Sequence, residues 1–101
     1  METYFVNRSL RKKEQQKDRL YDSAKIGDVK ELHRLFNNNI DIHSDYDCAF
    51  VIAASENQVI FCKEILQLRA NPRAHNHQAL KCALESDNEE LINLIVSYYN
   101  D

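Results

Sequence analysis

Ala49-Phe50-Val51-Ile52-Ala53-Ala54-Ser55-Glu56-Asn57, continued by Gln58 to Leu68, is the stretch from which the rest of the chain follows. It has the pattern of a short apolar helix, a one-residue break and a second helix. Moved by 30 residues in either direction, the pattern returns with Leu20, Phe50 and Leu80 in register, then Ser23, Ala53 and Ala83, then Ala24, Ala54 and Leu84. Gly27, Asn57 and Asp87 fall at the break; Leu32, Cys62 and Ile92, then Leu35, Ile65 and Ile95, then Phe36, Leu66 and Val96 fall in the second helix. A fixed period of this kind marks a repeat architecture, in which each unit buries its apolar face against the next.

The whole chain has 101 residues, enough for one domain that buries about two-thirds of the surface its unfolded form exposes. One Gly and one Pro leave few of the tight turns that all-β folds need, so composition favours helix. The longest apolar run, Leu94-Ile95-Val96, is too short to cross a bilayer, and Met1-Glu2-Thr3-Tyr4 lacks the apolar core of a signal peptide. Cys48, Cys62 and Cys82 are odd in number and share no Cys-x-x-Cys spacing, which fits reduced thiols in the cytoplasm.

Charge is uneven along the chain. Residues 1–20 hold Arg8, Arg11, Lys12, Lys13, Lys17 and Arg19 against Glu2, Glu14 and Asp18, whereas residues 78–101 hold Lys81 against Glu85, Asp87, Glu89, Glu90 and Asp101. Such a gradient can steer a charged partner, and it also suits solvated terminal helices.

Residues 1–17 carry no copy of the repeat and form a basic arm or capping helix, with Tyr4, Phe5, Val6 and Leu10 able to cover the first unit. Residues 18–101 make about three units, near 18–47, 48–77 and 78–101. In the first, Asp28 followed by Glu31 has the form of a capping box, and Val29, Leu32, Leu35 and Phe36 give a helical stripe. Asn37-Asn38-Asn39 ends that helix, and the alternation Ile40-Asp41-Ile42-His43 predicts an extended excursion to Asp47 that projects sideways. In the second unit the small Ala53 and Ala54 let stacked helices approach closely, and Pro72 stops the chain from continuing as helix.

Phe50-Val51-Ile52-Ala53-Ala54-Ser55-Glu56-Asn57-Gln58 with Ile65-Leu66 and Arg69-Ala70-Asn71, echoed by Ala24-Lys25-Ile26-Gly27-Asp28, resembles the ankyrin repeat family over roughly residues 18–101. The resemblance implies an all-α stack of helix-turn-helix repeats after an N-terminal helical arm. The family's Thr-Pro-Leu-His opening is replaced by Cys48-Ala49-Phe50-Val51 and Gln78-Ala79-Leu80-Lys81, and Arg69 stands where Gly is usual. A period of 30 residues, against the roughly 33 usual for that family, predicts shortened hairpin fingers.

No Gly-rich phosphate cradle and no nucleophile turn occurs, and Glu89-Glu90 are adjacent, so they point to different sides of a helix. The expectation is a non-enzymatic chain without cofactor. His75-x-His77 and His43 lack ligand-spaced partners and are expected as loop histidines rather than metal ligands. Cys62 and Cys82 are expected as buried small hydrophobes, and Cys48, at a helix start, as the thiol with a claim to reactivity.

Carried over from the family, the partner-binding surface is made of loop fingers and the exposed face of each first helix. Here it comprises Lys25 and Ile26; then Asp45, Tyr46, Asp47, Ser55 and Glu56; then His75, Asn76, His77, Glu85 and Ser86. Tyr46 is the expected anchor; packing on Pro72 is the competing use of its ring. The function so implied is a protein-protein interaction module that occludes a partner, in the manner of small viral or intracellular-effector inhibitors. Two alternatives stay open: a nucleic-acid-associated protein whose basic arm binds electrostatically, and a self-assembling structural protein. The latter would use Leu91, Ile92, Leu94, Ile95, Val96, Tyr98 and Tyr99, more apolar residues than one helix face hides unless the tyrosines fold back.

Overall fold

The structure, a computed structural model, describes residues 15–99. Its elements are α1, helical over 15–26 within that range, then α2 (Val29–Asn37), α3 (Ser44–Ser55), α4 (Val59–Gln67), α5 (Ala74–Glu85) and α6 (Glu89–Ser97). The fold is all-helical, with no strand among the described residues. Helix pairs α3–α4 and α5–α6 pack as hairpins, and α3 packs on α5 while α4 packs on both α2 and α6. First helices therefore line one layer and second helices the other.

Each break is built the same way. Gly27, Asn57 and Asp87 all have positive φ (76°, 58° and 53°). The next amide then turns back to the carbonyl five residues earlier: Asp28 to Ser23 at 2.8 Å, Gln58 to Ala53 at 2.9 Å and Asn88 to Ala83 at 3.1 Å. This is the left-handed closure that satisfies the last carbonyls of a helix. The second helices end alike at Asn39 and Arg69, both with positive φ, with Ile40 bonded to Leu35 and Ala70 to Ile65. Asn and Asp tolerate this backbone better than other L-residues, which explains why one Gly suffices.

The breaks also tie neighbouring repeats. Gln58 Nε2 donates to the Lys25 carbonyl at 2.9 Å, and a Cβ on Gly27 would run into that same Gln58 side chain. Asn88 Nδ2 repeats the tie onto Asn57 Oδ1 at 3.1 Å. Because its amide is engaged there, Gln58 does not cap α4, whereas Asp28 and Asn88 accept from Glu31 and Leu91 and cap α2 and α6. The expected capping box is half made: the Glu31 carboxylate pairs with Arg34 instead of returning to Asp28.

The core follows the 30-residue register. Leu20, Ala24, Leu32 and Leu35 are buried in the first repeat, Phe50, Ala53, Ala54, Cys62, Ile65 and Leu66 in the second, and Ala83, Leu91 and Ile95 in the third. Phe36 lies at the edge of its stripe and is exposed, and Ile92 and Cys82 are half-buried rather than buried.

Between repeats the expected extended finger is absent. Asp41 Oδ1 accepts the His43 amide at 2.9 Å, and 30 residues later Asn71 Oδ1 accepts the Arg73 amide at 2.9 Å. These side-chain turns replace strand pairing. The next residues coil left-handed, Asp45, Tyr46 and Asp47 at φ 54°, 58° and 63°, and His75, Asn76 and His77 at 55°, 57° and 64°. Only after them do the right-handed parts of α3 and α5 begin. Each finger is thus a compact left-handed knuckle, which we call knuckle two (His43–Asp47) and knuckle three (Arg73–His77).

Candidate interaction surface

The knuckles set the direction of the side chains at their tips. Tyr46 is 85% exposed, and its ring meets the His75 ring edge-on with centroids 6.5 Å apart. It is Tyr99 that reaches Pro72, its hydroxyl donating to the Pro72 carbonyl at 3.4 Å. His75 Nε2 lies 2.8 Å from the Asp45 carbonyl, which can only accept, so that nitrogen carries the proton and joins knuckle three to knuckle two. Between them runs a groove of about 300 Å³ lined by Tyr46, Asp47, Asn71, Arg73, Ala74 and His75.

Knuckle two is fixed from both sides. From repeat one, the Tyr21 hydroxyl donates to Asp45 Oδ2 at 2.5 Å and the Lys17 ammonium sits 3.0 Å from the same oxygen. Burial, then the bond to Asp45, pushes the Tyr21 phenol up to about 12, while Tyr21 and then Lys17 hold the Asp45 carboxyl below its usual range. From within, Asp47 accepts from His43 Nδ1 on one carboxylate oxygen and from the Asn71 amide on the other, at 2.9 Å. It is 8% exposed. Asp47 is therefore a strut between knuckles, not a contact residue as expected from sequence.

At the equivalent place in knuckle three, His77 Nδ1 lies 2.8 Å from the Tyr99 hydroxyl. Arg73 Nη2 donates to the Tyr99 carbonyl at 2.7 Å and its guanidinium stands over the Tyr99 ring, 4.4 Å from the centroid. His77 is half-buried and internally engaged, so it too is a support. Tyr99 folds back on its own repeat.

The other expected residues are exposed: Lys25 and Ile26 on α1, Asp45 and Tyr46 on knuckle two, Ser55 and Glu56 at the end of α3, His75 and Asn76 on knuckle three, and Glu85 and Ser86 closing α5. Tyr46, His75 and the groove residues are brought together; Ile26, 72% exposed, belongs to the far ends of the first helices. Sequence reading missed Lys17, Tyr21 and Arg73, and offered the fold-back of Tyr99 without its partners. Their partners are 22 to 28 residues away and meet them only once the repeats stack.

The remaining chemistry is modest. Burial, then the charge of Asp45, raises the Cys48 thiol, which counts against its claim to reactivity; burial alone takes Cys62 to about 12. Among the described residues, no group of three or more His, Cys, Asp or Glu converges to hold a metal ion, and no helix is long and apolar enough to cross a membrane. Tyr4, Phe5, Val6, Leu10 and the basic arm up to Glu14 lie outside the described residues, and α1 continues through 15–17 without a boundary. Comparison with protein-family models, with curated proteins and with solved structures returned no match.

Proposed function

We propose that this chain is an ankyrin-like binding module that recognises a protein through knuckles two and three and the adjoining face of the first helices, and acts by occluding what it holds. The observation that carries the reading is Tyr46: a large aromatic, 85% exposed, on a knuckle anchored by Tyr21, Lys17 and the Asp47 strut. An exposed ring on a rigid support loses little freedom on binding, and such anchors contribute about 2 kcal/mol or more at interfaces. The groove beside it supplies Arg73 and His75 for polar contacts. The test is capture from a native cell extract by wild type beside Tyr46→Ala and His75→Ala, all matched in thermal unfolding. A protein retained by wild type and lost by both variants supports the surface; equal retention overturns it.

A further inference from the structure

The two ends of the stack differ in what they offer. Along the first helices, position 24 of repeat one and its equivalent 54 are alanines fully buried under the following repeat, while the third member of the series, Leu84, is 56% exposed. Along the second helices, Val96 is 40% exposed, close to the 43% of its repeat-one equivalent Phe36, so Leu84 is the position that sets the third repeat apart. The last repeat thus exposes an apolar side chain at Leu84, and the carboxylates that follow it in the chain, Glu85, Asp87, Glu89 and Glu90, are all exposed. At the other end, Arg19 is exposed where Ala49 and Ala79 are fully buried, and Glu31 stands where Phe61 and Leu91 are fully buried.

An exposed apolar position on a repeat with four exposed carboxylates fits an apolar segment that carries cations. A second copy of the same face does not, because four carboxylates would meet their own images. The chain itself holds the complementary sequence. Residues 1–20 bring Arg8, Arg11, Lys12, Lys13, Lys17 and Arg19 together with Tyr4, Phe5, Val6 and Leu10. Residues 1–14 enter here by sequence alone.

We propose that the C-terminal face around Leu84 and Val96 takes the basic N-terminal stretch of a second copy of this chain, joining molecules head to tail. Such a contact is heterologous: a pair keeps one free face of each kind, so association continues into open chains instead of stopping there. This surface is separate from the knuckles, and either reading can fail alone.

Sedimentation of the full chain over a concentration series tests it, using two variants at exposed or charged positions. Leu84→Glu removes the acceptor face; Arg11→Glu/Lys12→Glu/Lys13→Glu reverses the donor. Wild type is expected to gain mass with concentration at about 50 mM salt, and its association constant to fall at least roughly tenfold at about 500 mM. Each variant alone is expected to stay monomeric, and their mixture to form a single one-to-one complex, since each supplies the face the other lacks. Three outcomes overturn the proposal: a wild type monomeric at every concentration in low salt, a Leu84→Glu chain that associates like wild type, or an arm variant that still pairs, which would mean tail-to-tail contact.

Discussion

Knuckles two and three share one backbone and are held by opposite means. Both open on an Asx turn and coil left-handed for three residues. Knuckle two then places a carboxylate inside, Asp47, which accepts from His43 and from the first amide of the next finger. Knuckle three places an imidazole there, and the covering comes from Tyr99 at the end of its own repeat, clasped by Arg73. The difference shows that the backbone form does not depend on one particular tether. What the tether decides is how firmly the tip is held, and the charged strut lies under the knuckle that exposes Tyr46.

The largest expected contrast is at the two inward positions. Asp47→Ala strands the Asn71 amide and the His43 ring, and should cost about 2 kcal/mol in chemical denaturation, whereas His77→Ala should cost less than about 1 kcal/mol. Equal losses would break the distinction between strut and lid. Next in size is the lid itself. Tyr99→Ala removes the ring beneath Arg73, worth about 0.5–1 kcal/mol at an exposed site, and should speed hydrogen exchange at the His77 amide, which bonds to the Arg73 carbonyl, while leaving the Asp47 amide unchanged.

The smallest effect is in titration and sharpens how each knuckle treats its tyrosine. Burial raises the Tyr99 phenol and the Arg73 charge draws it back, whereas at Tyr21 burial and Asp45 act together and reach about 12. A phenol with a raised folded value supports the fold fully below its unfolded value of about 10, and that support fades as the pH climbs through the folded one. Phenolate absorbance should therefore show one step close to 12, absent in Tyr21→Phe. The same variant should show a shallower loss of stability above about pH 10.

Much of the fold was legible because packing repeats the period. Ala53 and Ala83 are buried where the register puts them, and Asn57 and Asp87 adopt the positive φ expected of Gly substitutes. The fingers were not legible. Ile40-Asp41-Ile42-His43 alternates like a strand, but Asp41 takes the His43 amide, and Ile42 alone is fully inserted, 1% exposed, with Ile40 only packed at the core's edge. Four alternating residues are too few to tell a strand from a turn. At the surface, the exposure of Ile26 follows from register, whereas the outward aim of Tyr46 and the inward aim of Asp47 and His77 arise in left-handed backbone, to which helical periodicity does not apply.

The side-chain ties that hold the units, from the clasp of His77 with Tyr99 to the link of Gln58 with Lys25, span between 22 and 33 residues of chain. Strength is therefore spread along the molecule and has no centre. Pulled from its two ends, such a chain yields one unit at a time, each unit carrying its own hinge and its own clasp. Growth has the same logic: a duplicated copy of 48–77 inserted after His77 asks for no bond of a new kind, so the number of repeats can change under selection while the local geometry of each stays the same.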